Sequence, residues 1–371
     1  MKDETTNSLF DIVNIKVEQN PDIGDNMAKI TLIGIGGGGC NMIDNYCSKN
    51  KYKIKIIASN TDNQVLNKSI APVKLQLGVK TTNGLGAGMN PDIGRKAALE
   101  NSQDIKNMLN GSDMVFLCAG LGGGTGSGSI PVIAQIAKEM GILCFCVVTI
   151  PFGYEIGRDV IASQALQELI PYADSYMVIY NDKILDIVSE GTGVQESFKI
   201  IDDVLYEVVN GMCEIILNYQ RLNINIDFAD ISTTLTKKGL ALIGIGRQKG
   251  PDSAKNAFIE AVNSPLLNIN SIEQCKSVII HFTFHPKFPI HKMSEIMNYV
   301  KNSADIGARC IIGTVYDEDM QDDEVKVIII ATGFENKRLD EKKIEHLKIK
   351  EEQKEEIEKI SWFDKFIAKW F

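Results

Sequence analysis

Nowhere in its 371 residues does the chain carry an apolar run long enough to span a bilayer. Residues 1–26 are polar and acidic, without the charged-then-apolar order of a secretory leader. A cytoplasmic protein is expected. Basic charge is outnumbered, giving a net charge of −9, which argues against a nucleic-acid-binding face. Cysteine is present but never at CxxC or zinc-ribbon spacing: Cys40, Cys47, Cys118, Cys144, Cys146, Cys213, Cys275 and Cys310 mostly lie in apolar runs. They read as buried, reduced thiols. The histidines His281, His285, His291 and His346 form no ligand pattern with them, so no metal-ligating cluster is expected. No Gly-x-x-x-x-Gly-Lys-Ser/Thr occurs, which excludes a P-loop. Tryptophan is confined to Trp362 and Trp370, close to the carboxyl terminus. At 44% hydrophobic residues, the chain can fill the cores of two globular domains.

Glycine is abundant, and it is clustered. Residues 119–129 read Ala-Gly-Leu-Gly-Gly-Gly-Thr-Gly-Ser-Gly-Ser, with six glycines. An apolar run, 114–118, precedes them as a buried strand, and an apolar-periodic run, 130–140, follows as a helix. A strand-to-helix turn free of Cβ atoms lets a ligand approach the backbone, and the unpaired N–H groups of the new helix favour phosphate. Thr125 and Ser127 add hydroxyls. A merely tight turn would need one or two glycines, so phosphate binding is the stronger reading.

Two more glycine loops occur. Residues 30–35 form a strand that runs into Gly36-Gly37-Gly38-Gly39-Cys40-Asn41, with Asn41 placed to cap the next helix. Residues 81–94, Thr-Thr-Asn-Gly-Leu-Gly-Ala-Gly-Met-Asn-Pro-Asp-Ile-Gly, form the other, before a helix through about 109. Further strands are expected at 54–59, 73–77, 142–150 and 175–180, with a helix at 158–170. Apolar strands alternating with helices imply a mostly parallel sheet covered on both faces. Residues 198–217 read as one long helix with a wide apolar stripe, buried between two domains. A second block from Ile231 carries strands at 240–245, 277–284, 310–314 and 325–331 and helices at 253–262 and 292–300, an α+β pattern.

Gly34-x-Gly36-x-x-Gly39 alone satisfies a dinucleotide fingerprint, which keeps a nicotinamide-dependent oxidoreductase open. Asp62 is a poor ribose acid for that reading, and it leaves residues 119–129 without a role. The better account is one nucleotide held by several glycine loops at the carboxyl ends of neighbouring strands.

These residues resemble the tubulin/FtsZ family. Gly122-Gly123-Gly124-Thr125-Gly126-Ser127-Gly128 is similar to its signature. Gly36–Gly39, Asn60-Thr61-Asp62, residues 84–91, Asn181-Asp182-Lys183 and Asn225-Ile226-Asp227-Phe228-Ala229-Asp230 are similar to further motifs, and the likeness spans about 30–334. The resemblance implies an α/β fold: a GTP-binding domain with a Rossmann-like, mostly parallel sheet, a long central helix and a second α+β domain. The expected division is an extension (1–27), the GTP-binding domain (28–196), the central helix (197–219), the second domain (220–335) and a charged linker with an aromatic tail (336–371). It implies a GTPase that polymerises head to tail in cell division, with nucleotide-bound Mg²⁺. The alternative is a GTP-binding filament scaffold with little turnover.

By motif match, phosphate contacts fall to Gly37, Gly38, Gly39, Cys40, Asn41, Gly126, Ser127 and Gly128, with Gly86, Ala87 and Gly88 flanking the γ-phosphate. Glu155 matches a ribose contact, and Phe198 and Asp202 match a guanine-reading pair. Asp227, Asp230 and Asn225 match residues inserted from the next subunit to drive hydrolysis. From spacing alone, Asp227 and Asp230 read as a helix cap and a turn residue. The chain departs from the family pattern at Asp159, where an arginine is usual and Arg158 stands one residue early. It departs again at Arg221-Leu222, where Pro-Gly is usual, at 281–289, and at Cys40, a thiol open to oxidation if exposed.

Residues 336–359 are dense in Lys and Glu. From the end of that stretch onward, Ile357, Ile360, Phe363, Ile367, Trp370 and Phe371 share one helical face. Docking on a membrane-tethered division partner is the first reading of this tail, and direct lipid contact by residues 360–371 the second.

Overall fold

The apolar runs fold into β1 (Ile30–Ile35), β2 (Lys55–Asn60), β3 (Val73–Gln76), β4 (Met114–Gly120), β5 (Leu143–Ile150), β6 (Ser175–Tyr180), β7 (Gly239–Lys249), β8 (Ser277–Phe284), β9 (Arg309–Tyr316) and β10 (Glu324–Thr332). The first helices are α1 (Gly36–Lys49), α2 (Asn63–Lys68), α3 (Val79–Thr82), α4 (Pro91–Glu100), α5 (Ser102–Leu109) and α6 (Gly124–Glu139). They are followed by α7 (Arg158–Leu169), α8 (Asp182–Leu185), α9 (Val194–Leu217), α10 (Phe228–Leu235) and α11 (Ser253–Val262). This is a computed structural model, which describes residues 27–185, 193–217, 226–264, 275–289 and 309–334, with 291–292, 294–295 and 297–298. The extension before residue 27, the tail beyond 334, Asn225 and the Arg221-Leu222 departure lie outside the described residues, and the helix expected at 292–300 lies there in part.

All ten strands join one sheet, in the order β3-β2-β1-β4-β5-β6-β7-β10-β8-β9. β1 to β6 are parallel, β10 runs antiparallel to both β7 and β8, and β9 is parallel to β8. The seam is narrow: β6 meets β7 through two residue pairs, Ser175 with Gly239 and Tyr176 with Leu240. Alternate residues of the parallel strands feed two cores. Leu32, Phe116, Phe145 and Val147 pack on one face under α1 and α9, and Ile33, Val115, Leu117 and Cys146 pack on the other under α4 to α7. Strands buried on both faces need continuous apolar sequence, which is why these runs do not alternate. The apolar stripe of α9 crosses the seam: Leu205, Val209 and Met212 share one core with Ile30 and Phe116 and with Ile279 and Ile328.

Most boundaries differ from the sequence expectation by a residue or more, and four helices differ more substantially in where they start or break. α6 starts at Gly124, not at residue 130, and α1 starts at Gly36, so Asn41 lies inside that helix and does not cap it. Glycine is a poor helix former, which hid both starts. Packing overrides propensity here. A Cβ at Gly124 would stand 2.8 Å from the Ala87 Cβ, at Gly126 2.4 Å from the Gly120 carbonyl oxygen, and at Gly128 2.0 Å from the Pro91 carbonyl oxygen. The helix expected through residue 109 breaks at Asn101 into α4 and α5, and α9 begins at Val194, earlier than Phe198. Cys40 is buried, and burial pushes its thiol up to about 11, which removes it from ready oxidation.

Gly128→Ala is expected to destabilise the fold by about 3 kcal/mol through overpacking of α6 on α4, read from urea unfolding.

Candidate nucleotide-binding site

A cavity of about 580 Å³ opens where β1, β2, β4, β5 and β6 end. Each strand delivers lining residues at or just past its carboxyl end: Gly37 and Gly38 after β1, Asn60 and Asp62 from β2, Gly120, Leu121 and Gly123 to Gly126 from β4, Thr149 and Pro151 from β5, and Asn181 after β6. Residues 85–89 close one side, and Phe198, Ile201 and Asp202 of α9 close the other.

The cavity is built to receive an anion. α1 and α6 both begin at it, and neither carries a side-chain cap at its first turn. Their leading N–H groups, near Gly37 and Gly38 and near Thr125 and Gly126, therefore face the space without a side-chain acceptor from the cap. Three wall glycines have no steric reason within the protein, since a Cβ at Gly37, Gly88 or Gly123 would meet nothing within 4 Å. Gly37 and Gly123 do not take positive φ either. Their bare backbones keep space for something outside the chain.

The opposite end has different chemistry. Phe198 is 43% exposed and meets Phe152 edge to face at 5.5 Å, with Tyr154 stacked on Phe152 at 5.0 Å. Asp202 lies one turn after Phe198 on the same face of α9. Burial, with Asp203 beside it and Lys49 opposing, pushes its carboxyl up to about 7. Asn181 is buried, and among the described residues its Oδ1 has no hydrogen-bond partner. Arg158 lines the cavity and pairs with Glu155 at 2.9 Å, whereas Asp159 is not among the lining residues.

Of the expected contacts, Gly37, Gly38, Asn41, Gly86, Ala87, Gly88, Gly126, Glu155, Arg158, Phe198 and Asp202 line this one cavity. Gly39, Cys40, Ser127 and Gly128 do not. Gly39 packs on the Cys118 carbonyl, and Gly128 packs on α4. The Cys40 thiol donates to the Ser59 carbonyl, and the Ser127 hydroxyl accepts from the Gly122 N–H at 2.9 Å. These four support the wall from behind. Asn60, Thr149 and Asn181 were missed as lining residues. Their signal was a polar residue at or just past the end of an apolar strand.

Asp227 and Asp230 lie at the other edge of the sheet. α10 runs into β7, which pairs with the amino end of β6, and the Ser175 hydroxyl donates to the Leu235 carbonyl at 2.6 Å. Asp227 caps α10 by accepting from the Asp230 N–H at 2.7 Å, as spacing alone allowed. One strand length, about 20 Å along β6, separates this edge from the cavity.

Residues 29–189 match the model of the Tubulin/FtsZ family, GTPase domain, and residues 239–335 that of the FtsZ family, C-terminal domain. The cell division protein FtsZ of Neisseria gonorrhoeae is 41% identical over 311 residues, covering 84% of this chain and 79% of that protein. This chain belongs to the tubulin/FtsZ family. The cell division protein FtsZ of Helicobacter pylori (strain ATCC 700392 / 26695) is 42% identical over 328 residues, covering 88% of this chain and 85% of that one. An empty FtsZ dimer from M. jannaschii superposes with a TM-score of 0.75 at 39% identity, over 82% of this chain and 88% of that chain. A GTPγS-bound protofilament of CetZ2 from Haloferax volcanii shares the fold, with a TM-score of 0.68 at 19% identity over 83% of this chain and 94% of that chain. The amino-terminal half of this tubulin/FtsZ family member is thus a GTPase domain, and the cavity lies within it but for its α9 wall.

Gly37→Ala separates the site from the scaffold. Its Cβ meets nothing and alanine favours the helix, so stability should hold or rise by up to about 1 kcal/mol. GTP affinity should nevertheless fall, as fluorescent-nucleotide titration beside thermal melting would show.

Proposed function

We propose that GTP sits in this cavity with its triphosphate on the glycine backbones and its base against α9. Copies of the chain stack head to tail, and GTP is hydrolysed where two copies meet, in the service of cell division. The observation that carries this reading is the separation of the two half-sites. The cavity and the Asp227–Asp230 turn occupy opposite edges of one sheet, so no single copy brings both to one phosphate. A second copy stacked along the strand direction does. The cavity mouth has an apolar rim suited to such a contact, with Leu85 82% and Ile156 93% exposed beside Met89 and Tyr154.

In this reading the N–H groups at the starts of α1 and α6 neutralise the phosphates, and residues 86–88 flank the γ-phosphate. Gly39, Cys40, Ser127 and Gly128 fix the backbone of those turns from behind. Asp227 and Asp230 of the stacked copy, with Asn225, orient and polarise the attacking water. Asp202 accepts the two adjacent N–H groups of guanine, which adenine does not offer. Arg158 takes the place of the arginine missing at Asp159, beside Glu155 at the ribose.

Mg²⁺ fits as a nucleotide-bound ion. Among the described residues no three His, Cys, Asp or Glu side chains cluster to hold a metal. Asp62 supplies a hard oxygen at the cavity wall, and the remaining ligands would be phosphate oxygens and water, the usual arrangement for Mg²⁺. Bound there, the ion offsets charge on the leaving phosphate.

The same reading divides the chain at 28–196, 197–219 and 220–335 and gives the 336–371 segment to tethering. Its charged stretch and single apolar face suit docking on a membrane-bound partner at the cytoplasmic side of the division site.

Two outcomes test the site. Asp230→Ala should bind GTP normally yet turn it over at least about 100-fold more slowly, and wild-type turnover per molecule should rise with protein concentration. Full turnover by the mutant, or a rate indifferent to dilution, defeats the shared site. For guanine, bonding requires the ionised Asp202 carboxylate, whose pKa in the free site is about 7. Binding therefore releases a proton below pH 7. Affinity should be full above that pH and fall by up to about ten-fold per unit beneath it. Asp202→Asn should flatten that profile in calorimetric titrations.

A further inference from the structure

Arg309 opens β9 at the same edge as α10, and its Nη2 lies 3.1 Å from Oδ1 of Asp230. Both backbones are fixed. Arg309 pairs with Ser277 in the sheet, and its N–H donates to the Lys276 carbonyl at 3.1 Å. The Asp230 N–H donates to Oδ1 of Asp227 at 2.7 Å. One carboxylate oxygen of Asp230 is thus held from the sheet, and among the described residues the other has no partner.

Stability does not explain this pair. The side chains are 52% and 38% exposed, and ion pairs so wetted contribute little to folding. Restricting a rotamer is a different matter. A short surface carboxylate otherwise samples several directions, and a planar guanidinium on one oxygen selects one of them. The exposed pair also lies on the face that a stacked copy would meet.

We propose that Arg309 is a positioning residue: by holding Oδ1 of Asp230 it presents Oδ2 to the nucleotide bound in the next copy. This rests on the reading of Asp230 given above. Arg309 acts through the carboxylate and does not itself touch phosphate.

The test compares full-length Arg309→Ala, Arg309→Lys, Asp230→Ala and the Asp230→Ala/Arg309→Ala pair. GTP turnover and light scattering are followed across protein and GTP concentrations. Arg309→Ala should lower the plateau turnover about five-fold, with its KM, its critical concentration and its melting temperature unchanged. Arg309→Lys should recover part of that loss, because it keeps the charge but not the planar fork. The double variant should be no slower than Asp230→Ala alone. The proposal is overturned if Arg309→Ala keeps full turnover while Asp230→Ala is slow, or if its defect lies only in critical concentration. Further slowing in the Asp230→Ala background also overturns it, since Arg309 would then act on the phosphate directly. Full turnover by Asp230→Ala would sink both the proposal and the reading beneath it.

Discussion

A Cβ at Gly126 would collide with the Gly120 carbonyl, one at Gly128 with that of Pro91, and one at Gly124 with Ala87 and Asn90. Only bare backbone lets α6 sit this close to β4 on one side and α4 on the other. That seating carries the first turn of α6 up to the cavity and fixes the 84–90 loop against it. The Gly39 contact with the Cys118 carbonyl does the same for α1. Several elements meet at distances that side chains would forbid, and the space they leave between them is the site. The glycines thus fall into two groups. Some seat the helices, and others, such as Gly37 and Gly123, leave room for a ligand.

The second half of the molecule is tied to the first less by the sheet than by α9. Two residue pairs hold β6 to β7, while α9 spans both halves. From α9 a buried carboxylate reaches into the second half. Glu214 accepts from the Thr283 hydroxyl at 2.6 Å and from Lys326 at 2.8 Å. Burial alone would push its carboxyl up, yet the Lys326 ammonium and these bonds hold it below the usual range. His281, buried alongside, is pushed down to about 4 and stays neutral. So deep a pair as Glu214 and Lys326 ties α9 to β8 and β10, and loss of either partner would leave an uncompensated buried charge. Phe198 and Asp202 ride on the same helix, so cavity and joint share one rigid element.

Strand polarity explains the division of labour. In a parallel sheet every strand ends at the same edge, so turns rich in backbone donors gather there and nowhere else. Each crossover helix brings the chain back to the opposite edge, and it is at the return after α9 that α10 presents its carboxylates. In the proposed reading, a bound triphosphate and the carboxylates of Asp227 and Asp230 are thereby kept a strand length apart in each copy and meet only on stacking, which would make turnover follow assembly.

The strands at 30–35, 175–180 and 277–284 and the helix at 253–262 were legible to the residue, because buried runs and one-sided periodicity follow directly from burial. The glycine loops marked where the cavity opens, and the spacing of Asp227 announced a cap. Other features were not legible. The helical character of residues 124–129, the continuity of ten strands, the Asn181 wall, the direction of Cys40 and the Arg309 contact with Asp230 all depend on neighbours distant in sequence. Local sequence determined which segments are buried and where the backbone is free to bend, since those follow from side-chain size and polarity. Only the tertiary structure decided which glycines seat helices and which line the cavity, and that the cavity and the Asp227–Asp230 turn lie at opposite edges. Both are matters of what stands within a few ångströms, and the linear order does not record it.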